Sequence, residues 1–122
     1  MENKTILIID DEEFFIEPIK LFFEKMGSTV ITAEDGMSGL NLAKSASPDV
    51  IILDLMLPVI DGYQVCRLLK FDNQYRNIPV IIVSAKDTEN DKNIGKQSGA
   101  DLYITKPVDS SDIYEKIKGL LA

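Results

Sequence analysis

Val50-Ile51-Ile52-Leu53-Asp54 is a run of large apolar residues that stops at an acid. The form recurs along the chain: Ile6 to Ile9 ends in Asp10-Asp11, Val80 to Val83 in Ser84, and Leu102 to Thr105 in Lys106. Short, near-continuous apolar runs suit strands buried on both faces, which is the habit of parallel sheets. The carboxyl ends of parallel strands lie along one edge, where such folds bind ligands, so these polar residues should converge. Three carboxylates gathered there repel one another and do nothing for stability alone. They make sense around a divalent cation.

Amphipathic stretches separate the runs from one end of the chain to the other. Thr5 to Ile9 is followed by Glu12 to Met26, Thr29 to Ala33 by Gly36 to Ala46, Val50 to Leu53 by Gly62 to Phe71, Val80 to Val83 by Thr88 to Ser98, and Leu102 to Thr105 by Ser110 to Leu121. Five strand–helix repeats predict an α/β, doubly wound, five-stranded parallel sheet with right-handed crossovers and helices on both faces. Gly27 and Gly99 follow helical stretches, where left-handed caps are expected. Ser47-Pro48-Asp49 breaks the chain before the third strand. Ile113, Ile117 and Leu120 or Leu121 form one apolar stripe on the last helix, which should dock on the sheet.

Two segments are less regular. Pro18 falls inside the first helical stretch and should kink the helix or delay its start. Thr88 to Ser98 has Ile94 as its only large apolar residue and contains Gly95, so little burial energy holds it.

At 122 residues the chain is expected to be one domain, 1–122. Its apolar runs fall far short of the roughly 20 residues a membrane span needs, and no leader-like segment opens it, so a soluble, cytoplasmic protein is expected. A net charge of −7 opposes non-specific attraction to nucleic acid or anionic lipid. Neither is an expected direct partner of this domain. Cys66 is the only cysteine and sits in an apolar helical stretch, so it reads as a buried structural thiol. The chain has no histidine, which removes His-based triads, most zinc sites and phosphohistidine chemistry on this chain.

The segments Ile8-Ile9-Asp10-Asp11-Glu12, Leu53-Asp54-Leu55-Met56-Leu57-Pro58 with Asp61-Gly62, Val83-Ser84-Ala85-Lys86, and Gly99-Ala100-Asp101 with Tyr103-Ile104-Thr105-Lys106-Pro107 occur in an order and at spacings that resemble the receiver domains of two-component response regulators. No one of these motifs is strong alone; their ordered conjunction over the whole chain is specific. The resemblance implies a CheY-like, flavodoxin-like sheet of strand order 2-1-3-4-5. It also implies that Asp54 is the phosphoacceptor, taking a phosphoryl group from a sensor histidine kinase or phosphotransfer protein. Asp10, Asp11, Asp54 and the backbone carbonyl of Met56 would hold Mg²⁺, Asp10 through water. Lys106 and Ser84 would each meet a phosphoryl oxygen, and the Lys106–Pro107 bond would be cis. Ser84 and Tyr103 would act as the switch, the hydroxyl moving toward the phosphoryl group while the ring turns inward.

Such a domain assists its own phosphorylation and dephosphorylation without being an enzyme in the ordinary sense. Two outputs are consistent with the residues. A stand-alone receiver would dock partners through the fourth helix, fifth strand and fifth helix, with Leu102, Tyr103 and Tyr114 on that face. Alternatively, Met56, Lys86 and the words Leu-Pro and Tyr-Ile-Thr-Lys-Pro resemble receivers joined to winged-helix DNA-binding domains, which dimerise through the same face. Lys92, Asp101, Lys116 and Lys118 fit such a dimer, whereas Leu102 stands where a second acid is usual. A phosphohydrolase of the haloacid dehalogenase type would need an acid two residues after Asp54, where this chain has Met56. A flavodoxin would need a hydroxyl- and glycine-rich first loop in place of Asp-Asp-Glu-Glu.

Overall fold

The computed structural model describes all 122 residues. Strands and helices alternate without exception: β1 Thr5–Ile9, α1 Glu13–Lys25, β2 Thr29–Ala33, α2 Gly36–Ala46, β3 Val50–Leu53, α3 Gly62–Lys70, β4 Val80–Ser84, α4 Glu89–Gln97, β5 Leu102–Thr105 and α5 Ser110–Leu121. All strand pairs are parallel, in the order β2-β1-β3-β4-β5. The fold is the expected doubly wound sheet. No helix is long and apolar enough to cross a membrane.

Side chains alternate across a strand, and here each face has its own core. Ile6, Ile8, Val50, Ile52, Ile81 and Val83 pack on one side with Ile16, Ile19 and Phe23 of α1 and Ile113 and Ile117 of α5. Leu7, Ile9, Ile51 and Leu53 pack on the other with Leu40 and Ala43 of α2 and Val65, Cys66 and Leu69 of α3. The stripe predicted for the last helix docks as expected. Burying both faces is why the central strands read as unbroken apolar runs.

The register sets the site. Ile9 pairs with Leu53 and Leu53 with Ile82, while Ser84 pairs with Thr105. Asp10, Asp54 and Lys106 therefore follow their strands onto one rim.

Local chemistry explains the helix ends. Asp35 and Asp61 cap α2 and α3 by accepting from Ser38 N and Gln64 N, as short acidic side chains do at helix starts. Gly27 and Gly99 take φ +89° and +92°, the left-handed turn that glycine adopts at no steric cost. Ser47 adopts the same region at φ 47° with no glycine to announce it. Pro18 neither delays nor ends α1: the helix runs from Glu13 to Lys25 with the proline inside it. Proline forfeits a hydrogen bond to the carbonyl four residues back, and the docked stripe of Ile16, Ile19 and Phe23 carries the helix past it.

The weakly apolar segment is a helix, α4, held by different means. Thr88 and Asp91 form a reciprocal capping box at its start, and Gly95 is its one buried residue.

Candidate functional site

Four strand ends and one loop build the site. Asp10 and Asp54 are buried, at 1% and 5% exposure, although both are acids. Asp10 Oδ1 accepts from Glu12 N at 2.9 Å, and Asp54 Oδ1 accepts from Leu55 N at 2.8 Å. Each carboxylate thus has one oxygen fixed by backbone and a second oxygen facing the others. Lys106 Nζ stands between them, 2.9 Å from Asp10 Oδ2 and 3.7 Å from Asp54 Oδ2.

Glu12 completes the cluster. Its Oε1 accepts from Lys106 Nζ at 2.9 Å, and carboxylate oxygens of Asp10, Glu12 and Asp54 all lie within 4.8 Å of one another. Glu12 is a site residue beyond those expected from the sequence, although its position carries a signal. Glu12 has extended backbone, φ −100° and ψ 104°, and two-residue spacing in extended chain returns a side chain to the same side. Asp11 lies between them and is exposed. It lines the open cleft of about 360 Å³ with Glu12, Asp54, Met56 and Ala85, so it reaches the site's mouth and not the tight trio. Met56 is 60% exposed at that rim.

The electrostatics follow from burial. Desolvation pushes the Asp10 carboxyl above its ordinary range; Asp54 adds to the rise, while Lys106 and the Glu12 N–H oppose it. Burial also works against the charge on Lys106, but its hydrogen bonds to Glu12 and Asp10 and the nearby Asp54 outweigh that and raise its pKa. An ion pair would ordinarily lower the acid's pKa, so burial dominates at Asp10. Lys106 stays an ammonium, and it sits where a cation would. An all-oxygen set of carboxylates beside a cleft suits a hard divalent ion, and Mg²⁺ fits these donors.

The remaining expected residues meet at Lys86. Ser84 is buried and its Oγ accepts from Lys86 N at 3.3 Å. Tyr103 donates its hydroxyl to Lys86 O at 2.6 Å. Its ring rests on Gly95: a Cβ added there would lie 2.8 Å from Tyr103 Cδ2. Tyr63, which the sequence did not single out, donates its hydroxyl to Asp91 O at 3.1 Å from the start of α3. One phenol therefore holds the first turn of α4, and the other holds the loop leading into it. The Lys106–Pro107 bond is cis, and Lys106 N donates to Ser84 O at 2.8 Å, which ties the lysine's strand end to the serine's.

A doubly wound sheet with acids, a hydroxyl and a lysine gathered at its carboxyl edge defines a class, the phosphoacceptor signal receivers. The model of the response regulator receiver domain matches residues 6–118, and the chain belongs to that family. It is 42% identical over 117 residues to protein PilH of Pseudomonas aeruginosa, covering 96% of this chain and 97% of PilH. It is 41% identical over 119 residues to the alkaline phosphatase synthesis transcriptional regulatory protein PhoP of Bacillus subtilis, covering 98% of this chain and 49% of PhoP. The chain thus spans about half the length of several curated relatives and nearly all of another. Among solved structures, the receiver domain of Francisella response regulator 1452 superposes with a TM-score of 0.88 at 35% identity, over 98% of this chain and 97% of that one. This chain is a receiver domain of two-component signalling, and its family is a phosphoacceptor switch rather than a metabolic enzyme.

Proposed function

We propose that residues 1–122 form one receiver domain, acting in the cytoplasm, in which Asp54 accepts a phosphoryl group from a partner histidine kinase or phosphotransfer protein. The observation that carries this reading is the asymmetry of Asp54: Oδ1 is tied to Leu55 N, while Oδ2 faces the cleft 3.7 Å from the Lys106 ammonium. Oδ2 is the nucleophile. It attacks phosphorus in line, the P–N bond of a phosphohistidine or the P–O bond of an acyl phosphate breaks, and the leaving group keeps the electron pair. Mg²⁺ held by Asp10, Asp11, Asp54 and the Met56 carbonyl, with Glu12 adjoining, would supply charge neutralisation between the carboxylate and the phosphoryl oxygens.

Lys106 leaves Asp10 and Glu12 for one phosphoryl oxygen, and Ser84 Oγ donates to another. Because Ser84 and Tyr103 both bond Lys86, moving the hydroxyl frees one end of that loop and lets the ring turn inward. The lightly held α4 and the edge strand β5 carry the change to the α4–β5–α5 surface. Loss of the group is water attack on phosphorus, returning the free carboxylate and inorganic phosphate. Met56 and the exposed Lys86 stand at the approach to that attack and make it slow.

A second reading, the N-terminal half of a DNA-binding regulator, is supported by the match to half of PhoP. The two readings share every residue above. Intact mass of the protein with Mg²⁺ and acetyl phosphate should show one added phosphoryl group, lost in Asp54→Asn. Undiminished labelling of the variant would overturn the assignment.

A further inference from the structure

Phe15 has no part in the sequence reading or in the chemistry above, yet its ring lies against the central charge of the site. Lys106 Nζ is 4.1 Å from the Phe15 ring centroid, well inside the roughly 6 Å over which an aromatic face attracts a cation. The ring is itself fixed. It belongs to the first turn of α1 and packs against the core formed by Ile16, Ile19 and the sheet.

An ammonium has three donors. Two are taken by Asp10 and Glu12 at 2.9 Å, and Asp54 at 3.7 Å is beyond hydrogen-bond reach. With 12% exposure, the Lys106 side chain has little water to satisfy the rest. The aromatic face supplies what is missing. We propose that Phe15 is a positioning residue for Lys106, its ring holding the ammonium beside Asp54 when the carboxylates release it.

This inference rests on the phosphoacceptor reading. With the Asp10 oxygens given to a divalent cation, Lys106 would lose its most buried partner. Glu12, at 62% side-chain exposure, is a weak anchor. The ring contact does not depend on either acid. It keeps the ammonium within reach of Asp54 Oδ2 instead of leaving through the groove lined by Glu12, Phe14, Phe15, Pro107 and Val108. The contribution is therefore larger in the cation-loaded state than at rest, and it acts on the step in which Lys106 meets the phosphoryl group.

Mono-, di- and trifluorophenylalanine placed at position 15 weaken the negative face of the ring stepwise while nearly preserving its size. Two measurements are made on each protein: exchange of the Lys106 ammonium protons with water, by NMR on the Mg²⁺-loaded, unphosphorylated protein, and the rate of phosphoryl uptake from acetyl phosphate. Exchange should quicken with each fluorine. Uptake should slow by about two- to thirtyfold at three fluorines, the range of an aromatic–ammonium contact converted at about 1.4 kcal/mol per decade. Phe15→Leu should behave like the trifluoro ring, and Phe15→Trp like the native one. A flat series in either measurement overturns the inference, since a packing role is indifferent to fluorine. The exchange measurement needs no phosphodonor, so failure of Asp54 to label would sink the phosphoacceptor reading separately.

Discussion

Replacing Gly95 by alanine sets two effects of known size against each other. Alanine in a helix interior is favoured over glycine by about 1 kcal/mol. Against this, the new methyl would lie 2.8 Å from Tyr103 Cδ2, 3.2 Å from its Cε2 and 3.3 Å from Ile82 Cδ1. Carbon atoms settle about 3.5–4.0 Å apart, so the ring must retreat by roughly 0.7 Å or more. Its far end is not free to follow, because the hydroxyl is bonded at 2.6 Å to Lys86 O.

Overpacking of this kind costs about 1–3 kcal/mol, and loosening the hydrogen bond adds about 0.5–1.5 kcal/mol. The expected net loss is about 1–2 kcal/mol. Urea denaturation followed by far-UV circular dichroism should be run on the native protein, Gly95→Ala, Tyr103→Ala and the double variant. Without the ring, alanine at position 95 should stabilise by up to about 1 kcal/mol, so the substitution changes sign with background and the pair couples by about 2–3 kcal/mol. An equal cost in both backgrounds would refute the claim that the Tyr103 ring is seated on this glycine.

Gly62→Ala would press a methyl onto the backbone of Asp54 and Leu55, with Leu55 Cα at 2.7 Å; backbone cannot yield as a side chain does, so a loss above about 3 kcal/mol is expected in a thermal melt. Tyr63→Phe deletes only the hydroxyl on Asp91 O, and should speed amide hydrogen exchange in the first turn of α4 while global stability changes by less than about 1.5 kcal/mol. Burial pushes the Cys66 thiol from its ordinary 9.0 up to about 12, so alkylation at pH 8 should await opening of the fold. With the folded value above the unfolded one, its stabilisation is complete below pH 9 and declines as pH rises toward about 12; a urea midpoint that falls between pH 9 and 10 in native protein but less in Cys66→Ala is the check.

Period and punctuation made the sheet legible. Apolar runs that alternate with amphipathic stretches admit few topologies once crossovers are right-handed, and the polar residue closing each run marks the rim. What stayed hidden depends on contacts between elements. Nothing local to Phe15 shows that it lies over Lys106, 91 positions away by the numbers of these residues. Tyr63 and Asp91 are likewise joined only by the packing of α3 beside α4. Glu12 was closer to hand, since extended backbone places it beside Asp10. Pro18 and Ser47 show the limit of local rules: docking carried α1 through a residue that breaks helices, and a serine took a conformation usually left to glycine.

The site is unfavourable to the fold that carries it. Asp10 has a folded pKa raised chiefly by burial, and an acid so shifted gives its full stabilisation only below the ordinary carboxylate range, losing it as pH rises through the raised value. At neutral pH the buried acid therefore works against folding. Lys106 offsets part of this, but one ammonium faces the carboxylates of Asp10, Glu12 and Asp54. The two-sided core absorbs the difference, because β3 and β4 are buried throughout and β1 is buried from Ile6 to Ile9. α4 has no such reserve, with Gly95 alone buried, its first turn tied by Tyr63 and the loop before it by Tyr103. A change of charge at Asp54 thus meets a rigid sheet on one side and a lightly held helix on the other, and the helix is where the structure can yield. On the proposed phosphoacceptor reading, that division of stability would let a single phosphoryl group on Asp54 alter a surface without loosening the core.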